Sequence, residues 1–363
     1  MVEAVADAGV DRNELQRRTL RSLRFSQVPG QAAVAGMVAV VSLLASDLLG
    51  SDRLAGMGSA SFTLGAAFTA IPLAAFMRRH GRRIGLTRAL LIGSFGAAVA
   101  ATGGQLRWFP LFLVGMIAFG AGQAATLQQR YVAADLAEPA KQGAAIAAIV
   151  WVGALGAALG PMLTPFEKAV ARAVGLDELV GPFVFAAVFF LVAAAVVWIR
   201  LRPDPLEVTG GIDPHAERTR VLSVVRSSAS VIWATSGARL GLAAMAASQA
   251  AMVAVMTMTP PHMKDHGHAD LSAFVIALHI VGMYGLAPVV GRFVDRAGPV
   301  KAIQIGAVIL GAGTITTVLA GYVPVLMFVG LFFLGLGWNF GLIGGTTILT
   351  ASVPETSRVE VQG

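Results

Sequence analysis

Four polar side chains stand inside long apolar runs of this sequence, where hydrogen bonding or proton exchange could take place away from water. They are Gln123, Gln249, His279 and Asn339. At ~1.5 Å of rise per helical residue, Gln249 and His279 would lie ~12–14 Å inside their runs. A polar group at that depth is costly unless it meets another polar group or a bound solute. We predict that the four side chains line a substrate cavity, with hydrogen bonding between helices as the alternative.

Proton coupling requires a titratable group beside such a cavity. His279 is the best placed, because imidazole changes charge near neutral pH. Asp47 is the one acid inside a predicted apolar run, close to the end of that run. We predict both as proton-coupling candidates; for Asp47 the alternative is a side chain that reaches the membrane interface. Arg130 and Asp135 end another run and are predicted to form a local ion pair.

The apolar runs that position these residues are long enough to cross a bilayer. The chain is 56% hydrophobic with a mean hydropathy of +0.73, and roughly 20 apolar residues cover a ~30 Å hydrocarbon core. The composition therefore predicts an all-α polytopic membrane protein. Its ten spans are predicted at 31–49, 57–77, 89–104, 108–128, 143–163, 180–199, 240–258, 273–290, 303–320 and 325–348.

The basic residues set the predicted orientation. Of the 27 Lys and Arg, 22 fall in the turns on the side of the N-terminus, and cytoplasmic loops carry such an excess. Both termini are therefore predicted to be cytoplasmic, in a bacterial-type plasma membrane. This distribution also argues against nucleic acid as the partner of the +7 net charge. The Arg-rich segment 1–29 is either a short helix on the lipid surface or a tail with the topological signal.

Several functional classes are disfavoured by what the sequence lacks. There is no cysteine, so thiol catalysis and thiolate metal sites are excluded. No GxxxxGK[ST] loop is present for ATP, and no paired acids or activated nucleophile suggest an enzyme or a cofactor. A loop rich in histidine and aspartate could bind a divalent metal, but such loops are more often unliganded, and no metal site is predicted. Its residues are His262, Asp265, His266, His268 and Asp270.

The second part of the chain repeats the first. The stretch VVGRFVDRAGPVK (289–301) aligns with AAFMRRHGRRIGLTR (74–88) at an offset of 217 residues, which places Gly298 on Gly81. Within two residues, the same shift places LGLGWN (334–339) on FGAGQ (119–123). Parallel repeats that enter the membrane from the same side are a transporter architecture.

The repeated turn resembles the signature loop of the major facilitator superfamily. The pattern Gly-x-x-x-Asp-Arg-x-Gly stands here as Gly291, Asp295, Arg296 and Gly298. The resemblance implies a gating loop that presents Asp295 and Arg296 to helix ends of the neighbouring bundle; the alternative is that these charges only fix topology. The first copy keeps Arg79, Gly81, Arg82 and Arg83.

A second resemblance concerns span 5, where Gly156, Gly160 and Pro161 are similar to part of a motif in the superfamily's proton-coupled drug exporters. It implies a secondary active transporter that binds a small amphipathic or drug-like solute and protons in lipid, as a monomer without cofactor. An importer or facilitator, or a membrane protein that does not transport, are the alternatives. Four methionines of span 7 would suit a promiscuous pocket or an ordinary core: Met245, Met252, Met256 and Met258.

The superfamily pattern also predicts the domain organisation. A six-span N-terminal bundle (30–200) follows the basic segment 1–29, a cytoplasmic loop (201–230) follows the bundle, and a C-terminal bundle (231–363) holds spans 7–10. Because superfamily members normally have twelve spans, the counterparts of spans 5 and 6 are expected to be absent from the second bundle, which leaves it with four helices.

Overall fold

A computed structural model describes residues 12–38, 40–51, 54, 56–213, 221–265, 275, 278–321 and 323–362. Within these ranges, the side chains of residues 221–225, 257, 258, 260–262, 264, 265, 355, 356 and 360 are not described.

The described chain is helical throughout and contains no strand, as the apolar runs predict. Besides short 3₁₀ turns and a π-helical turn at Val281–Gly285, it forms fourteen helices in the described ranges. They are α1 (Arg12–Val38), α2 (Val41–Leu49), α3 (Gly56–His80), α4 (Arg82–Gln105), α5 (Phe109–Asp135), α6 (Gln142–Ala173), α7 (Gly181–Arg200), α8 (Pro205–Val208), α9 (Val221–Ala234), α10 (Ser236–Asp265), α11 (Ala287–Ala297), α12 (Pro299–Val318), α13 (Pro324–Ser352) and α14 (Glu355–Val361).

Nine helical stretches of the described chain are long and apolar enough to cross a membrane. They correspond to predicted spans 1–7, 9 and 10. Most helices extend past the predicted ends, because the polar residues that flank an apolar stretch can continue the same helix. Predicted span 8 (273–290) begins among residues outside the described ranges. Its described part includes the π-helical turn and the start of α11.

The N-terminal helix differs from both alternatives predicted for segment 1–29. From Arg12 onward this segment is neither a separate surface helix nor a tail, because α1 runs without a break into the first span. The hydroxyl of Ser22 donates to the Arg200 carbonyl (3.0 Å), and that of Ser26 donates to the Ala193 carbonyl (3.2 Å). These bonds to α7 satisfy polar groups on the packed face of α1, so the basic segment joins the helical core.

The chain forms two compact units. The first comprises Met1–Leu136, Val152–Ser228 and Glu355–Gly363. In it, α4 and α5 pack so closely that a Cβ on Gly96 would lie 2.8 Å from the Gly115 carbonyl oxygen. Phe119 and Phe190 fill the space beside this contact with ring centroids 5.0 Å apart. Small residues at the crossing thus bring the two backbones together, as is common between membrane helices.

The second unit comprises Ala137–Trp151 and Ala229–Pro354. Its α12 and α13 pack through Gly313 and Gly330, and a Cβ on Gly313 would also lie 2.8 Å from the facing Gly330 carbonyl oxygen. Gly313 stands 217 residues after Gly96, so the internal repeat extends to the packing of its helix pairs. The turns agree as well: Gly81 (φ 90°, ψ 165°) and Gly298 (φ 88°, ψ 152°) adopt nearly the same backbone conformation before α4 and α12, one that a residue with a Cβ rarely adopts.

Candidate functional site

An amide and two aromatic rings meet in the second unit. The indole N–H of Trp338 on α13 donates to Gln249 Oε1 on α10 at 2.8 Å. The Tyr284 ring packs edge-on against the same indole, with centroids 5.7 Å apart. Gln249 was predicted from the sequence, whereas both rings were missed. The sequence could have indicated Trp338, because this residue is adjacent to Asn339 in the repeated LGLGWN stretch.

Asn339 lies one residue along α13 from this indole and is fully buried. Neither its Nδ2 nor its Oδ1 has a hydrogen-bond partner in the described chain. Each buried polar group left unpaired costs about 1–3 kcal/mol. The side chain therefore retains a full set of amide hydrogen bonds that a bound solute or water can complete.

His279 is buried against α13. Its Nδ1 lies 2.8 Å from the Leu331 carbonyl oxygen, which can only accept, so we assign the proton to Nδ1. Nε2 is buried without a partner in the described chain. The hydrogen bond to the Leu331 carbonyl is the helix-to-helix contact that was the alternative prediction for His279. Nε2 remains open to a further hydrogen bond. The cavity and coupling roles of His279 stay predictions.

Gln123 belongs to the first unit, on α5. It is half-buried, and its Oε1 has no partner in the described residues. The structure therefore places Gln249, His279 and Asn339 together in one unit and Gln123 in the other.

Asp47 is part of an exposed ion pair with Arg107. Its carboxylate accepts from Arg107 Nη1 at 3.0 Å, and its backbone carbonyl accepts from Nη2 at 2.8 Å. About half of each side chain is accessible. The exposed pair is compatible with the alternative predicted for Asp47, a side chain that reaches the membrane interface, and its proton-coupling role stays a prediction.

The predicted local pair of Arg130 and Asp135 is wrong. Five helical residues separate their side chains by about 140° around the helix axis, so they point apart. Asp135 instead accepts from Arg82 Nε at 2.9 Å and from Nη2 at 3.2 Å, while the Arg130 guanidinium lies over the Tyr131 ring. The first residue of α4 and the last residue of α5 are thereby joined.

Glu167 is a buried carboxyl that the sequence reasoning missed. The predicted fifth span stops at residue 163, but α6 continues to Ala173 through Pro161 and Pro165, because membrane helices tolerate proline. Glu167 is 1% exposed, and its Oε2 has no partner in the described chain. Its backbone carbonyl packs against Gly181. If the predicted helix had been continued through Pro161 and Pro165, Glu167 would have fallen inside it.

Asp295 of the repeated turn binds the start of α6 within the second unit. Its Oδ1 accepts from the Gly143 N–H at 2.7 Å, and its Oδ2 accepts from the Ala144 N–H at 2.9 Å. These N–H groups belong to the first turn of a helix, where the helix itself supplies no acceptor and where negative charge is favoured. Gly291 makes room for the contact, since a Cβ there would meet Ala147 and the Gly143 carbonyl.

The same contact alters the protonation of Asp295. Burial raises the pKa of this carboxyl, and the two N–H bonds oppose that rise without cancelling it. Arg296, the other charged residue of the predicted gating pair, is exposed.

The first copy of the turn is held differently. Asp204, which follows α7, accepts from the N–H groups of Arg82 (3.1 Å) and Arg83 (2.7 Å) at the start of α4. The fully buried guanidinium of Arg82 also donates to Gln362 Oε1 at 2.7 Å. Arg78, which the offset of 217 places on Asp295, forms an ion pair with Asp213 (3.3 Å). Arg79 is half-buried, and its Nε has no partner in the described chain.

The span-5 glycines mediate a close contact between α1 and α6. A Cβ on Gly156 would lie 3.0 Å from the Ala32 nitrogen, and one on Gly160 would lie 2.6 Å from the Ala32 carbonyl oxygen. Pro161 follows on the exposed side of α6. These residues act through helix packing in the structure, and a role particular to export stays a prediction.

Two minor predictions involve residues that are described only in part. On α10, Met245 Sδ accepts from the Thr346 hydroxyl at 3.4 Å, and Met252 and Met256 are half-buried; the Met258 side chain is not described. The histidine-rich loop falls on residues 266–270, which lie outside the described ranges, and on His262 and Asp265, whose side chains are not described.

The fold and the buried polar groups define a helical membrane protein with an internal repeat. Residues 28–363 match the family model described as Major Facilitator Superfamily, and the chain belongs to that superfamily. It is a multi-pass membrane transporter of this family, as the repeated turn predicts. The drug-export subgroup and the absence of two spans stay predictions.

Comparisons with individual proteins agree with this membership. The chain is 35% identical over its whole length to an "Uncharacterized MFS-type transporter YddS" of Bacillus subtilis, of which it covers 84%. It is 28% identical to the "Riboflavin transporter RfnT" of Brucella anthropi, over 96% of the chain and 84% of the relative. The crystal structure of the human organic anion transporter MFSD10 (TETRAN) shares the fold, with a TM-score of 0.73 at 18% identity, over 96% of this chain and 89% of that one.

Proposed function

We propose that the protein exports a small amphipathic solute with an aromatic ring by alternating access, in exchange for protons. One observation carries the proposal: on α13, an indole bonded to Gln249 and packed against Tyr284 is followed by Asn339, a buried amide with no partner in the described chain. Trp338 and Asn339 are both enclosed in this conformation, and we propose that the solute-binding conformation opens them to a planar ring that carries carbonyl and N–H groups.

The relative with a named substrate supports this class. RfnT is named a riboflavin transporter, and riboflavin contains a planar ring system with carbonyl and N–H groups along one edge. A ligand of this chemistry could stack against Trp338 or Tyr284 while its polar edge completes the hydrogen bonds of Asn339. Such pairing is selective, because a solute without the polar edge leaves the amide unpaired.

Glu167 and His279 are the groups that we propose for proton coupling. Glu167 is enclosed and its Oε2 has no partner in the described chain, so we propose that it carries a proton while it is enclosed. A conformation that admits water would let the proton leave. His279 has one ring nitrogen free to exchange a proton. The exposed ion pair of Asp47 makes that acid a weaker candidate.

Gating is proposed to involve the repeated turns. Asp295 holds the first turn of α6 by two hydrogen bonds to backbone N–H groups, an interaction that can be broken without unfolding either helix. The outward direction is supported by the resemblance of Gly156, Gly160 and Pro161 to the exporter motif. Import by a related cycle is the competing assignment.

Transport into membrane vesicles tests these points together. Everted vesicles that contain the full chain are supplied with riboflavin or with ethidium, a planar aromatic cation, and an interior-acid pH gradient is imposed. Accumulation that a protonophore abolishes is the expected result. Accumulation that survives the protonophore would contradict proton exchange, and accumulation that requires an exterior-acid gradient instead would replace antiport by symport, the coupling of an importer.

A further inference from the structure

We propose that the first unit binds one anionic phospholipid in a groove between α4 and α7, with its phosphate held by three arginines. The groove has a volume of about 460 Å³, and its walls are mainly apolar. Ile84 and Leu91 of α4 face Leu191 and Trp198 of α7 across it. The proposal is independent of the transported solute.

A polar pocket adjoins the groove at Ile84. A second cavity of about 220 Å³ shares Ile84 with the groove and is lined by Arg83 and Arg202. The Arg83 guanidinium lies 4.7 Å above the Trp198 ring, and that of Arg202 lies 5.9 Å from the same ring. The indole therefore separates the apolar groove from the basic pocket, as an amphipathic ring does at a membrane interface.

The basic groups at this junction are available to an anion. Arg88 lines the groove itself, and its guanidinium lies over the Phe76 ring at 4.7 Å. None of the three arginines forms an ion pair within the described part of the chain. Two carboxylates also line the polar pocket, Asp204, which accepts from backbone N–H groups, and Glu207, so the three arginines still leave a net positive charge at the junction.

Thr87 gives an independent indication of a ligand. It lines the groove one turn of α4 beyond Arg83 and is 8% exposed. Its Oγ1 is buried with no hydrogen-bond partner in the described chain, although a helical threonine can usually bond a carbonyl of the preceding turn. This hydroxyl lines the groove beside Arg88 and one turn from Arg83, where it could donate to an ester carbonyl of a bound phospholipid.

The order of the groups that line the pocket and the groove indicates which ligand binds there. The polar pocket holds Arg83 and Arg202, and the groove holds Thr87 with Arg88 and then apolar walls. Phosphate, ester and acyl chain follow one another in the same order along a phospholipid. Basic pockets between membrane helices on the cytoplasmic side recognise anionic headgroups, and the positive-inside pattern predicts this side to be cytoplasmic. A single anionic headgroup, as in phosphatidylglycerol, matches the site.

Native mass spectrometry of the full chain in detergent tests the proposal. The protein is offered phosphatidylglycerol and phosphatidylcholine with the same acyl chains, and we expect phosphatidylglycerol to be retained preferentially. The preference should fall about fivefold for each arginine removed in the series Arg83→Gln, Arg88→Gln, Arg202→Gln. A matched triple variant at Arg239, Arg292 and Lys301, exposed basic residues of the second unit on the same predicted side, should keep it.

Thr87→Val gives a second readout that does not depend on charge. Valine has nearly the same shape, so the lipid-free protein should keep or gain thermal stability while retention of phosphatidylglycerol falls. Equal retention of both lipids by the wild type would overturn the proposal, as would equal loss in the matched control. Unchanged lipid retention in Thr87→Val, or displacement of the lipid by millimolar inorganic phosphate, would also overturn it.

Discussion

Arg82 and Asp135 form a two-point ion pair between the first residue of α4 and the last residue of α5, with the arginine fully enclosed and the carboxylate side chain 4% exposed. The pair joins residues 53 positions apart in the sequence and lies at one end of the contact between α4 and α5. A charge enclosed in this way depends on its partner, since removal of one member leaves the other buried and unpaired.

Arg82→Met should therefore destabilise the first unit by ~3–5 kcal/mol. Replacement of both members by apolar residues, Arg82→Met with Asp135→Leu, should cost less than the single change. Thermal unfolding in detergent would measure the difference. Arg107→Gln, which breaks the exposed pair with Asp47, is the comparison and should cost at most ~1 kcal/mol. Equal losses from the buried and exposed pairs would contradict the account.

Asp295→Ala should release the start of α6. The change removes both acceptors from the Gly143 and Ala144 N–H groups, so the conformation with this contact should become less populated. Because the chain has no cysteine, a cysteine introduced in place of Ala144 is the single thiol available, and its rate of maleimide labelling reports the exposure. We expect faster labelling in the alanine variant. An unchanged rate would mean that the turn does not hold the helix.

The same contact should depend on pH. Burial raises the pKa of Asp295 above its value in water, so the contact form binds the proton more tightly than the released form. Acidification should therefore stabilise the contact, and its stability should decline as the pH rises through the raised pKa. The labelling rate should thus increase with pH after correction for thiol ionisation on a free peptide, and Asp295→Asn should remove that trend. A rate that falls with pH would reverse the assigned sign.

Trp338→Phe should weaken transport of an aromatic solute while leaving the fold intact. Phenylalanine keeps a ring beside Tyr284 but cannot donate to Gln249, so the amide loses the bond that orients it. We expect KM to rise and the maximal rate to change less, as judged in everted vesicles. Trp233→Phe, at an exposed tryptophan of α9, is the matched control. A similar effect of both substitutions would remove the indole from the proposed site.

Glu167→Gln should separate proton coupling from solute exchange. The amide cannot release a proton, so transport driven by the pH gradient should be lost while exchange of labelled for unlabelled solute persists. Asp47→Asn, which alters an exposed acid, should retain gradient-driven transport. Full gradient-driven activity in the glutamine variant would exclude Glu167 as a coupling group.

Sequence reasoning predicted the apolar spans and the repeated turn well, because both are local. The hydrophobic runs mark where helices cross lipid, and Gly81 and Gly298 mark where the backbone must turn. Helix ends were less well predicted, since α6 continues through two prolines and carries Glu167 into the protein. Glu167 was missed because the predicted span ended at residue 163, four residues before it.

The partner of each polar side chain could not be predicted from the sequence, because it depends on which helix faces are packed together. Arg130 stands nearer than Arg82 to Asp135 in the sequence, yet the helix angle turns it away. The indole bonded to Gln249 lies 89 residues along the chain, and no spacing rule links the two. Polar residues at depth could be recognised individually, whereas their contacts required the fold.

The two copies of the turn carry opposite charges at equivalent positions, Arg78 in one and Asp295 in the other. The arginine belongs to a partly exposed ion pair with Asp213, which dissolved ions can screen, whereas the carboxylate is sheltered and responds to proton concentration. The two copies of the turn are therefore expected to differ in sensitivity: ionic strength should act on the first copy, and acidity should act on the second.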